Sequence, residues 1–165
     1  MNLSPLILIG FMGVGKTSVA KVLANRLNAE IYDTDALIEA QYGNISKLII
    51  SHGEPHFRGI EHQVFSEAIQ YAPAIISTGG GIVTHEPSQQ LLQKEPNVIW
   101  LQASYELVEL RVKGDVLNQR PLADHNMRKR FNVRQSMYER CASFTVSVDG
   151  LGVEEVAEKI INRYG

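Results

Sequence analysis

At 165 residues, the chain has the length of one compact domain able to bury a sizeable core. Its 44% hydrophobic and 21% charged residues exclude a disordered chain, and a net charge of −2 argues against a general binder of nucleic acid or membrane surfaces. The single cysteine, Cys141, cannot form an internal disulfide, and the apolar run at 5–10 is too short to cross a bilayer. No targeting segment is visible, so a cytoplasmic setting is expected.

The first apolar run, Leu6–Ile9, reads as a strand and leads directly into Gly10-Phe-Met-Gly-Val-Gly-Lys16-Thr17, which matches G-x-x-x-x-G-K-[ST]. A helical pattern over Lys16–Leu27 follows at once, and this strand–loop–helix order is the context in which the motif cradles phosphate. Gly13, Val14, Gly15, Lys16, Thr17 and Ser18 are therefore the expected nucleotide-binding residues. Lys16 supplies a point charge for the β- and γ-phosphates, and Thr17 offers its hydroxyl to Mg²⁺.

A second strand is expected over Ala29–Tyr32, followed by Asp33-Thr-Asp35 and a helix over Ala36–Tyr42. Loops at the carboxyl ends of parallel strands share one crevice, so the two aspartates can divide labour there. One can serve Mg²⁺ through water and the other an acceptor hydroxyl. The competing reading makes Asp35 the N-cap of the helix that follows. Pro55 then opens a helix over Pro55–Ile69 that sets Arg58 and Glu61 on one face at i, i+3. Glu61 can fix the Arg58 guanidinium and leave its fork free for a carboxylate, although an exposed ion pair is the simpler alternative.

The third strand, Ala74–Ser77, runs into Gly79, Gly80 and Gly81, where a close approach to a substrate is expected. Helices over Ser88–Gln93, Tyr105–Lys113 and Val153–Arg163 and strands over Val98–Leu101 and Phe144–Val148 complete the pattern. This alternation predicts an α/β fold with a parallel sheet and helices on both faces. The polar stretch from Lys113 to Phe131 reads as a mobile surface segment with five lysines and arginines mixed with Asp115 and Asp124. His52 and His56 stand at i, i+4 without a third ligand and are read as surface histidines. Cys141 and Trp100 are read as packed residues, and the run 128–130 as a solvated basic face.

Taken together, these pieces resemble the shikimate kinase family along essentially the whole chain. The resemblance rests on GFMGVGKT, the aspartates 33 and 35, Phe57-Arg58-x-x-Glu61, the triple glycine, Arg120-Pro-Leu122 and Arg134-x-x-x-Tyr138, all in the family's order. It implies a nucleoside-monophosphate-kinase-like, three-layer P-loop fold: one domain over 1–165, a five-stranded parallel sheet and a short lid at about 113–128. It also implies a monomer that phosphorylates the 3-hydroxyl of shikimate with ATP and Mg²⁺, in the pathway to chorismate and aromatic amino acids, with no nucleic acid or membrane partner.

Residue by residue, the resemblance makes Asp35, Lys16 and Arg120 catalytic, with Arg120 reaching from the lid and Arg111 lying against adenine. Arg58 and Arg134 grip the acceptor carboxylate, Asp35 and Gly79–Gly81 meet its hydroxyls, Glu61 and Phe57 orient, and Thr17 and Asp33 serve the metal. The chain departs from the family in its lid: Arg120 and Arg134 are only fourteen positions apart, and Ala123 replaces the usual second leucine. The departure bears on lid closure and on the reach of Arg120. Two alternatives stand beside this reading: a gluconate kinase or other kinase of small carboxylated metabolites, and a catalytically inactive nucleotide-binding module.

Overall fold

The structure, a computed structural model, describes residues 4–114 and 126–164. Five parallel strands form one sheet in the order β2-β3-β1-β4-β5. They are β1 (Leu6–Ile9), β2 (Glu30–Asp33), β3 (Ala74–Ser77), β4 (Val98–Gln102) and β5 (Phe144–Ser147). The three central strands are almost wholly buried, as strands covered on both faces must be. The edge strands β2 and β5 are partly exposed, which their polar members Glu30, Thr145 and Ser147 already imply.

Eight α-helices flank the sheet among the described residues: α1 (Lys16–Leu27), α2 (Thr34–Tyr42), α3 (Ile45–His52), α4 (Glu54–Ala68), α5 (Glu86–Lys94), α6 (Tyr105–Gly114), α7 (Met127–Cys141) and α8 (Val153–Tyr164). Helices α1 and α8 pack together, while α4, α5 and α7 form a second group. The main core runs along β1, β3 and β4 and includes Leu23, Phe65, Trp100, Tyr138 and Ile160. A smaller cluster of Ile38, Phe57 and Val64, backed by Leu48 and Ile49, joins α2, α3 and α4. No helix of the described residues is long and apolar enough to cross a membrane.

Two helical stretches differ from the sequence expectation. Helix α3 is absent from it, yet Asn44 accepts a hydrogen bond from the Lys47 amide as N-cap and Gly53 closes the helix with φ of 85°. The stretch expected as mobile through Phe131 is helical from Met127. Met127, Phe131, Arg134, Tyr138 and Cys141 are its buried residues, spaced by four, three, four and three. Of the expected lid, the structure describes only residues 113–114, which end α6, and 126–128, which are the N-cap and first two residues of α7; the remainder, with Arg120, lies outside the described residues.

Candidate active site

β1 is the central strand, so the loop at its carboxyl end lies beside the end of β3, and β3 in turn pairs with β2. That order brings the phosphate-binding loop, the glycine run and the Asp33–Asp35 turn to one crevice. The loop needs its glycines. Gly13 and Gly15 take φ of 78° and 97°, and Gly15 is the N-cap of α1, whose free amides open towards the crevice. The Lys16 ammonium is buried and donates to the carbonyls of Gly10 at 2.6 Å and Phe11 at 3.0 Å. Arg111 reaches from α6 to donate to the carbonyls of Gly13 and Val14, at 3.3 and 3.0 Å, and so braces the loop.

A cleft of about 340 Å³ opens over this loop. Gly13 to Val19, Asp33, Asp35, Ser77 to Gly80 and Arg111 line it, and Val148, Leu151, Val153 and Val156 give it an apolar end. Those four residues were not assigned from sequence. Their signal lay in their position, because β5 ends beside β4 and its following loop must reach the same edge. Their apolar character suits a flat heterocycle, whereas the loop end suits phosphates.

Asp33 is the N-cap of α2: its Oδ1 accepts from the Ala36 amide at 3.1 Å. The capping role therefore falls to Asp33, and Asp35 is the second residue of the helix, in its first turn and exposed. The helix begins at Thr34, two residues earlier than its apolar pattern implies, because the cap chemistry of Asp33 overrides that pattern. The other Asp33 oxygen accepts from the Thr17 hydroxyl at 3.3 Å. Hydroxyl and carboxylate are hard oxygen donors at the phosphate end of the cleft. They fit Mg²⁺, which takes few protein ligands and completes its shell with water and phosphate oxygens.

Around the glycine run a second, drier constellation forms. A Cβ on Gly79 would lie 2.8 Å from Oε2 of Glu61 and 2.9 Å from Oδ1 of Asp35, so only glycine leaves both carboxylates their place. A Cβ on Gly81 would overlap Nη2 of Arg58 outright. The carbonyl of Gly80 accepts from the hydroxyl of Tyr138 at 2.6 Å, which ties α7 to the run.

Arg58, Glu61 and Arg134 are all buried, so the exposed ion pair of the alternative reading is not what the fold builds. Arg58 Nη1 donates to Glu61 Oε1 at 2.8 Å. Its fork is not free, contrary to expectation, because Nη2 donates to Glu54 Oε1 at 3.0 Å; Nε and Glu61 Oε2 are buried without partners. The Phe57 ring packs under this guanidinium, 5.0 Å from Cζ to ring centre. Arg134 stands over the Phe11 ring at 5.6 Å.

Burial pushes the Glu61 carboxyl up to about 7, helped by the negative charge of Asp35 and opposed by Arg58 and Arg134. Burial likewise lowers the Arg134 guanidinium, and the Arg58 charge adds to that. The two arginines thus sit close enough to repel each other, with Glu61 between their influences. Such a pair of desolvated guanidiniums is a place for an incoming anion.

The structure brings together the expected site residues that it describes, and adds Glu54, Phe11 and Tyr138, which had been given no role from the sequence. Trp100 is buried and stacks on Tyr138 at 5.8 Å, and Cys141 is buried, both as expected. The His52 and His56 rings stack on each other at 4.9 Å.

The family model described as shikimate kinase matches residues 12–164. The chain is 39% identical over 161 residues to the shikimate kinase of Streptococcus thermophilus, spanning 93% of this chain and 96% of that one. It is 36% identical over 165 residues to the shikimate kinase of Thermodesulfovibrio yellowstonii, spanning 96% and 94% of the two chains. The solved structure of shikimate kinase from Acinetobacter baumannii in complex with shikimate has a TM-score of 0.91 to it at 30% identity, covering 99% of this chain and 93% of that one. The five-stranded parallel sheet, the phosphate-binding loop and these matches agree, and the chain belongs to the shikimate kinase family.

Proposed function

We propose that this enzyme transfers the γ-phosphoryl group of ATP to the 3-hydroxyl of shikimate, giving shikimate 3-phosphate and ADP. The observation that carries the reading is the meeting of two unlike sites at one glycine run. The phosphate cradle shares its cleft with Gly79 and Gly80, the buried Arg58 of α4 borders Gly81, and α7, which carries the buried Arg134, is tied to Gly80 through Tyr138. An acceptor held by its carboxylate at Arg58 and Arg134 presents its hydroxyls towards Asp35, and Asp35 also lines the nucleotide cleft.

In this reading the loop amides from Gly13 to Ser18 hold the phosphates. Lys16 leaves its carbonyl partners to follow the charge of the β- and γ-oxygens. Thr17 and Asp33 hold Mg²⁺, which when bound screens the charge of the phosphate chain. Asp35 accepts the proton of the acceptor hydroxyl and aligns its oxygen in line with the γ-phosphorus. Arg111 flanks the adenine end, opposite Val148 and Leu151. Glu61 and Phe57 keep Arg58 in register. Arg120, from the segment outside the described residues, neutralises the transferring group, as the family pattern implies. We propose further that the chain works as a monomer with one domain over 1–165, in the cytoplasm; its modest net charge of −2 suits a dissolved metabolic enzyme.

An ADP-release assay with shikimate, with gluconate and with no acceptor tests the proposal. Rapid release with shikimate alone is expected. Equal rates with gluconate, or rates independent of any acceptor, would overturn it.

A further inference from the structure

Arg58 stands with both terminal nitrogens engaged by carboxylates of its own helix, but the two partners differ in kind. Glu61 is sealed in, its side chain 1% exposed, and could leave only by baring a buried charge. Glu54 bonds Nη2 from the rim, with its side chain 52% exposed, and can turn into water at little cost. Nη2 also faces the backbone of Gly81, so Glu54 covers the nitrogen that borders the glycine run. The neighbouring charges are Arg134 and Arg130 on α7, Asp35 on α2, and His85 at the start of α5. The buried guanidiniums outnumber the buried carboxylate, and Glu54 supplies the missing negative charge from the edge.

We propose that Glu54 is a stand-in carboxylate: it neutralises Arg58 while the acceptor site is empty, and the carboxylate of the acceptor displaces it from Nη2. It thereby sets the acceptor's apparent affinity, since each binding event must first release Glu54. The proposal rests on the reading of Arg58 as the carboxylate clamp. A residue that merely supported Arg58 would have the opposite signature, because its loss would weaken acceptor binding. No bond is made or broken in the exchange; one carboxylate leaves the guanidinium for water as another arrives.

The test is calorimetric titration of shikimate into wild type, Glu54→Gln and Glu54→Ala proteins whose fold is checked by circular dichroism. Glu54 lies at the exposed start of α4, and either side chain is tolerated there. Both variants should bind shikimate about two- to fivefold more tightly, the range for an ion pair with one exposed member. ATP affinity, read in parallel, should hold. Unchanged or weaker shikimate binding in both variants would overturn the proposal. Arg58→Lys separates the two layers of inference. If it weakens shikimate binding while the Glu54 variants do not strengthen it, the clamp stands and the stand-in role falls. If Arg58→Lys leaves shikimate binding intact, both fall.

Discussion

Gly81 has no room for a side chain because its neighbour is fixed. A Cβ there would overlap Nη2 of Arg58 and come within 2.7 Å of Nη1, and that guanidinium is held by Glu61 and Glu54. Gly81→Ala must therefore push Arg58 off its partners. Acceptor KM should rise roughly tenfold or more, the scale of one lost charged hydrogen bond, while ATP KM stays within about twofold. Initial-rate kinetics in each substrate checks this, and an unchanged acceptor KM would contradict it. Glu61 gives a pH signature at the same scale. Its carboxyl is pushed from the ordinary 4.5 to about 7, so the folded state holds this proton more tightly than the unfolded chain does. The stabilisation is fully present below about pH 4.5 and is lost as pH rises to about 7. Urea midpoints of wild type minus those of Glu61→Gln should fall across that window and level off above it. A flat difference would contradict the assignment.

At the scale of elements, α2 shows one side chain serving two tasks. Asp33 caps the helix with one oxygen and meets the Thr17 hydroxyl with the other. Asp33→Ser keeps a capping oxygen and removes the charge, so stability should change by less than about 1 kcal/mol. Turnover should nevertheless fall by at least about tenfold, with a higher Mg²⁺ requirement, since a carboxylate near the metal is gone. Chemical denaturation and Mg²⁺ titration of the rate separate the two effects; loss of stability with normal Mg²⁺ dependence would make Asp33 a cap alone. Elements with strong local signals were legible in the sequence: β1, the loop and α1 follow from an apolar run, a motif and a 3.6-residue pattern. Helix α3 was not, because its cap residues Asn44 and Gly53 read equally well as a turn. The start of α7 was masked by its charged surface face, although the spacing of Met127, Phe131 and Arg134 carried the helical signal.

Across the whole molecule, the site is legible to the extent that its contacts are local. The phosphate loop and the Arg58–Glu61 pair lie within a few residues of sequence, and spacing alone brings their members together. Glu54, at i, i+4 from Arg58, was equally visible as a spacing, but only burial reveals that it meets a desolvated guanidinium. The bond from Tyr138 to the Gly80 carbonyl joins residues 58 positions apart, and the apolar cleft end spans the loop after β5. Such contacts depend on strand order, which periodicity does not encode. Arg134 came to its place through the family resemblance, and the burial of its guanidinium over Phe11 gives that assignment a physical basis. In the proposed function, Arg58 of α4 and Arg134 of α7 hold the acceptor by its carboxylate beside the phosphate cradle. The most direct measurement compares kcat/KM for shikimate with that for its neutral carboxamide, in wild type, Arg58→Lys and Arg134→Lys. Wild type should favour the acid by roughly 1.5–3 kcal/mol per lost charged hydrogen bond, and each lysine variant, lacking the planar fork, should favour it much less. Equal discrimination in all three proteins would contradict the claim.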